Sequence, residues 1–263
     1  MVRGLGFTAG LTVLIALVLL APPTYCSNPP CAHSSSCGNI PNISFPFRLK
    51  TDPQNCGDSR YVLSCDENNR TVLYLFGGRY KYYVQEISYS NYTIRIVDSS
   101  IHKDNYFSTP SYSLYPYNSS FYHPYTTYQL KRTDVWDPPL SRTVVWMSCE
   151  KPVNSPLYLD TSTCNYNDNS SSSISDSKRY RYVTVGITYA SEVEDSCQLE
   201  KMFLTSWPIN NISCTDVHNE LVYGFELSWL DGIGICESYC GRNYPGCELD
   251  EANHLQCYGI DGK

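Results

Sequence analysis

Past Ala21 this chain of 263 residues has no apolar run long enough to cross a bilayer, since a spanning helix needs about 20 predominantly apolar residues. It has no excess of positive charge either. Nineteen Lys and Arg stand against 26 Asp and Glu, which excludes nucleic acid as a partner, because neutralising a phosphate backbone needs a basic surface. Nucleotide-binding loops are missing as well: Gly77-Gly78 is followed by no Lys-Ser/Thr, and Gly232 to Gly234 is a two-glycine turn, so no glycine-rich cradle for phosphate exists. There is no Gly-x-Ser-x-Gly elbow, and His33, His102, His123, His218 and His254 have no nucleophile motif around them. No enzymatic activity and no cofactor are expected on these grounds.

A metal centre is also not expected. Cys236, Cys240, Cys247, His254 and Cys257 fall close together, but only Cys236 and Cys240 have the tight spacing of a zinc pair, and tetrahedral zinc needs a second matched pair. Disulfides are the expected state of these cysteines, with His254 on the surface. Two carboxyls for glycoside hydrolysis are available in Glu192, Glu194 and Asp195, yet their place at the start of an expected helix accounts for them.

What is present begins with Arg3 and the apolar stretch Leu11 to Ala21, which has the form of an export leader rather than a membrane anchor. Thr24 and Cys26 suit cleavage between Cys26 and Ser27, with a cut after Ala21 as the alternative. Losing Cys26 turns thirteen cysteines into twelve: Cys31, Cys37, Cys56, Cys65, Cys149, Cys164, Cys197, Cys214, Cys236, Cys240, Cys247 and Cys257. An even count suits disulfides in an oxidising compartment. The first four, the middle four and the last four are each expected to pair among themselves, since small modules need their own staples. Asn-x-Ser/Thr sequons at Asn42, Asn69, Asn91, Asn118, Asn169 and Asn211 mark expected glycosylation sites on exposed turns. The mature product is expected to be secreted and soluble.

The fold class expected is mainly β with short helices, in two disulfide-rich modules. The first, residues 27–103, reads as an antiparallel sheet with strands at Tyr61 to Cys65, Thr71 to Phe76, Arg79 to Ile87 and Tyr92 to Asp98. Gly77-Gly78 makes a tight hairpin turn. Residues 104–142 form a Tyr-, Ser- and Pro-rich irregular connector. The second module, residues 143–263, reads as α+β with a small cysteine-rich tail. Its expected strands are Thr143 to Ser148 and Tyr180 to Tyr189, followed by a helix from Glu192 to about Thr205 capped by Ser191 with Glu194. A shorter helix begins near Asp216 and ends near Tyr223, where Gly224 returns the chain to an extended segment through Trp229.

Two stretches carry a family resemblance. Cys37-Gly38, Ile43-Ser44-Phe45-Pro46-Phe47, Cys56-Gly57 and Tyr61-Val62-Leu63-Ser64-Cys65 resemble the galacturonan-binding domain of wall-associated receptor kinases. Gly224-Phe225-Glu226-Leu227-Ser228-Trp229, with Cys236-x3-Cys240 and Gly246-Cys247, is similar to the carboxy-terminal module paired with that domain. The combination is like the ectodomains of leaf-rust-resistance-type plant receptor kinases. No counterpart of the family's kinase, or of the transmembrane helix that places its full-length members in the membrane, is expected in these residues.

The resemblance implies an extracellular cell-wall protein whose partner is acidic polysaccharide, pectin or oligogalacturonide. A receptor or peptide partner, with this chain as a soluble decoy, is the alternative. A polyuronate binder needs Arg or Lys for the carboxylates and aromatic faces for the sugar rings. By strand parity the candidates are Arg79, Lys81 and Tyr83 on one strand and Arg95 on the next, with Arg48, Lys50, Arg60 and Arg70 in reserve.

Overall fold

Alternating apolar residues make strands the main regular element of this chain, because successive side chains of an extended backbone point to opposite faces. The computed structural model describes residues 34–105, 108–114, 124–129, 139–161, 179–186, 188, 190–206, 213–230, 232–244 and 246–259. The expected export leader, Cys31, Cys164, Asn118, Asn169 and Asn211 lie outside them. Ser35–Lys263 forms one compact unit.

The strands run Ser35–Cys37 (β1), Ile40–Ile43 (β2), Arg48–Leu49 (β3), Val62–Cys65 (β4), Thr71–Leu75 (β5), Tyr80–Ser88 (β6) and Thr93–Asp98 (β7). Arg142–Cys149 (β8), Leu159–Asp160 (β9), Tyr180–Val185 (β10) and Cys197–Thr205 (β11) follow. Then come the helix Cys214–Tyr223 (α1), Phe225–Ser228 (β12), the helix Gly232–Cys240 (α2), Gly246–Leu249 (β13) and Leu255–Tyr258 (β14). The fold is therefore mainly β with short helices, and β4 to β7 fall within two residues of the segments that alternation marks. No helix among the described residues is long and apolar enough to cross a membrane.

A six-stranded sheet in the order β12-β7-β6-β5-β4-β3 is antiparallel except for the β3–β4 pair. Leu63, Leu73, Tyr82, Val84, Ile94 and Ile96 fill its core face, each 2% exposed or less. Trp229, just past β12, is fully buried there, with the rings of Phe47, Tyr89, Tyr92 and Tyr239 at 5.0 to 6.2 Å. The buried Tyr61 hydroxyl donates to the Trp229 carbonyl at 2.9 Å. The Tyr89 hydroxyl donates to the Ser44 carbonyl at 3.1 Å, so Tyr61 and Tyr89 combine apolar area in the core with a polar tip that finds a partner.

Four further strands form a second sheet, β11-β8-β10-β9. Val97, of opposite parity to Ile96, packs with Val144, Val183 and Phe203 of that sheet and with Val217 and Leu221 of α1. The far face of the larger sheet is thus covered over β7. Part of the 104–142 connector is also packed in: Leu114 and Tyr125 are 3% and 1% exposed, and Thr126 bridges to Ser228.

Two expectations fail in the second half. The segment expected as a helix from Glu192 to Thr205 is instead a 3-10 turn at Ala190–Glu192 followed by β11. Cys197 lies opposite Cys149 in the ladder and is disulfide-bonded to it, so tertiary pairing overrides a modest helix propensity. The cap of α1 is Ser213 rather than Asp216. Ser213 Oγ accepts from the Asp216 amide while the Asp216 carboxylate accepts from the Ser213 amide, a reciprocal box in which Asp216 is the third helical residue.

The four bonds seen each fall within the groups of cysteines expected to pair. Cys37–Cys65, Cys149–Cys197, Cys236–Cys247 and Cys240–Cys257 are bonded, and Cys56 is in a disulfide too. Cys214 opens α1.

Candidate functional site

The outer face of β5 and β6 is built from the residues left over once the core is filled. Thr71, Leu73 and Leu75 of β5 are buried, whereas Tyr74 points out and is 47% exposed. Across the ladder Tyr74 stands opposite Lys81, and Val72 opposite Tyr83. Lys81 and Tyr83, two residues apart, share this face.

The tight turn between β4 and β5 adds a second cation. Asp66 Oδ1 accepts from the amides of Asn68 (3.1 Å) and Arg70 (2.9 Å), and the Asp66 amide donates to the Arg70 carbonyl at 3.0 Å. Asn69 takes a left-handed conformation, φ 56°, and its Oδ1 accepts from the Gly38 amide. The turn is tied to β1 by the Cys37–Cys65 disulfide and by Thr71 Oγ1 donating to the Cys37 carbonyl.

Held in this way, Asp66 Oδ2 receives Arg70 Nε at 3.0 Å and Nη2 at 2.9 Å, with Lys81 Nζ at 3.6 Å. Arg70 Cζ lies 4.1 Å from the centre of the Tyr83 ring, and Lys81 Nζ lies 5.1 Å from it. Desolvation pushes the Asp66 carboxyl up, but the hydrogen bonds and charge of Arg70 and the Asn68 amide outweigh it and hold the group below the usual carboxylate range. The result is one negative and two positive charges around one aromatic ring, with Tyr74 beside them.

Of the residues proposed from strand parity, the structure gathers Lys81 and Tyr83 into this group. Arg79 is exposed at the tip of the β5–β6 hairpin, off the strand, because Leu75 pairs with Tyr80 and leaves a four-residue loop. Gly77 and Gly78 take positive φ there, 66° and 91°, and so does Phe76 at 56°.

Arg95 is committed elsewhere. A bulge between Val84 and Glu86 shifts the parity of β6 and sets Glu86 opposite Arg95. Arg95 Nη2 lies 3.2 Å from Glu86 Oε2, Nη1 donates to the Tyr223 carbonyl at 2.8 Å, and Cζ sits 4.3 Å from the Tyr223 ring. Only 18% of its side chain is exposed. This arginine satisfies the end of α1.

Among the reserves, Arg48 donates to the Leu49 and Asp52 carbonyls, and Arg60 pairs with Asp58 at 2.6 Å. Lys50 is exposed. Arg70 is the reserve that joins the site. Tyr74 was not among the sequence candidates, although the alternation of Thr71, Leu73 and Leu75 already places it outward.

The sequons at Asn42, Asn69 and Asn91 all fall on exposed residues. Among the described residues no group of three or more His, Cys, Asp or Glu is placed to hold a metal ion.

Residues 26–98 match the family model described as wall-associated receptor kinase galacturonan-binding. That segment contains β1 to β7 and every member of the Asp66–Arg70–Tyr74–Lys81–Tyr83 group. The family match and the open cationic face therefore coincide in the galacturonan-binding-type segment. No curated protein and no solved structure matches the chain.

Proposed function

We propose that this chain is the extracellular, non-enzymatic ectodomain of a wall-associated receptor-type protein, and that its galacturonan-binding-type segment binds acidic cell-wall polysaccharide through the outer face of β5 and β6. The observation that carries the reading is the open group of Arg70, Lys81 and Tyr83 beside the exposed Tyr74. Polygalacturonate offers one carboxylate per sugar and a flat, hydrogen-rich ring face. The cations make charge-assisted hydrogen bonds to the first; Tyr74 supplies a stacking platform for the second.

Such a site is shallow and solvent-facing, so its affinity arises from repetition along the polymer and weakens with salt. The test is a glycan array, followed by titration of the secreted protein with oligogalacturonates in low and high salt. Binding restricted to acidic glycans, lost as salt rises, and without release of shorter products is the expected outcome. Salt-insensitive capture of a peptide with no glycan binding would replace this reading with that of a peptide receptor.

A further inference from the structure

The guanidinium of Arg70 is gripped on one side only. Nε and Nη2 face Asp66 Oδ2, Cζ lies 4.1 Å from the centre of the Tyr83 ring, and Nη1 has no partner among the described residues. Asp66 is itself tied to the turn, because its other oxygen accepts from two backbone amides. An exposed arginine ordinarily loses much rotamer freedom when it takes up a ligand. Here that ordering is already complete.

We propose that Asp66 is a positioning residue, which fixes Arg70 so that the unpartnered edge of its guanidinium meets the carboxylate of a uronic acid residue on this face. The inference rests on the polyuronate reading above and assigns the residue that gives it directional specificity. A guanidinium held in one plane accepts a carboxylate in a set orientation. Lys81, farther from Asp66 Oδ2 at 3.6 Å, supplies charge without that direction.

Positioning and bulk charge predict opposite signs. Bulk electrostatics says that removing an acid beside a polyanion site tightens binding; positioning says that removing Asp66 weakens it. Asp66→Asn keeps a side-chain oxygen for the turn amides while discarding the charge. Glu67→Gln removes the same charge one residue away, from an exposed side chain with no partner among the described residues.

Oligogalacturonate affinity is measured for wild type and both variants, together with the NMR signal of Arg70 Nε–Hε in the free protein. The expected result is about 2- to 10-fold weaker binding for Asp66→Asn, unchanged or slightly tighter binding for Glu67→Gln, and loss of a protected Hε signal in Asp66→Asn alone. Thermal melts show that both variants are folded. Asp66→Asn binding as tightly as Glu67→Gln, or an Hε signal unaltered by the substitution, overturns the positioning role and leaves polyuronate binding standing. Failure of the wild type itself to bind overturns both.

Discussion

Replacing Arg70, Arg79 and Lys81 together by Gln separates ligand contacts from folding contacts, with Arg95→Gln as the contrasting change. All three cations stand on or beside the open face, and exposed charge contacts contribute about 0.2 to 1 kcal/mol each. Their joint loss therefore costs roughly 0.6 to 3 kcal/mol, about 3- to 150-fold in affinity for oligogalacturonate. Stability should change little, since the Asp66 turn keeps its backbone hydrogen bonds and its disulfide tie.

Arg95→Gln should do the reverse. It removes the hydrogen bond to the Tyr223 carbonyl and the Glu86 contact, and a charged hydrogen bond of this kind contributes about 1.5 to 3 kcal/mol. A loss of about 2 kcal/mol lowers Tm by roughly 4 to 8 °C in a domain of this size. Affinity measured well below Tm should be unaltered.

Calorimetric titration and thermal melts on the same preparations give both quantities. A control triple at Lys151, Arg181 and Arg242, all exposed and outside the matched segment, removes equal charge. Equal loss of binding by both triples would mean that bulk charge acts and that no site exists on β5 and β6. Loss of binding in Arg95→Gln without a change in Tm would return Arg95 to the ligand and refute its assignment to the end of α1.

Two further expectations concern the joint between α1 and β12. Gly224 has φ 91° and ψ −165°, a conformation essentially confined to glycine, and a Cβ added there would collide with the Ile96 carbonyl oxygen. Gly224→Ala should cost about 3 kcal/mol or more and lower Tm by roughly 6 to 12 °C; a melt within about 2 °C of wild type would mean that the backbone accommodates the methyl group without strain. Burial, and after it the charge of Glu86, raises the Glu226 carboxyl above its ordinary value of 4.5, with Arg95 opposing. A carboxyl raised on folding contributes stability that is complete below its unfolded pKa and is lost as pH rises through its folded pKa. Glu226→Gln should therefore melt higher than wild type at pH 7, with the advantage shrinking toward pH 4, and a constant difference across that range would show that the titration of Glu226 is not the cause.

Local pattern was enough to determine the β class, the strands from Val62 to Asp98, the bonded state of nine cysteines and the end of α1 at Gly224. These features follow from side-chain parity, cysteine count and the backbone freedom of glycine, all of which are properties of short segments. Tertiary structure decided the rest. Cys197 was drawn into a ladder opposite Cys149, so a segment with a plausible helix cap became β11. Phe225–Ser228 paired with β7, across more than a hundred residues, and completed the sheet of the first segment. Arg95 keeps the face of Val97, which stands opposite Tyr83, but over β7 that face is covered by α1 and the second sheet, which gives Arg95 to the end of α1 and leaves the open face to Arg70, Tyr74, Lys81 and Tyr83. Strand pairing, bulges and the choice of ion partners depend on which distant groups arrive to satisfy a buried hydrogen bond or cover an apolar face, and no short segment contains that information.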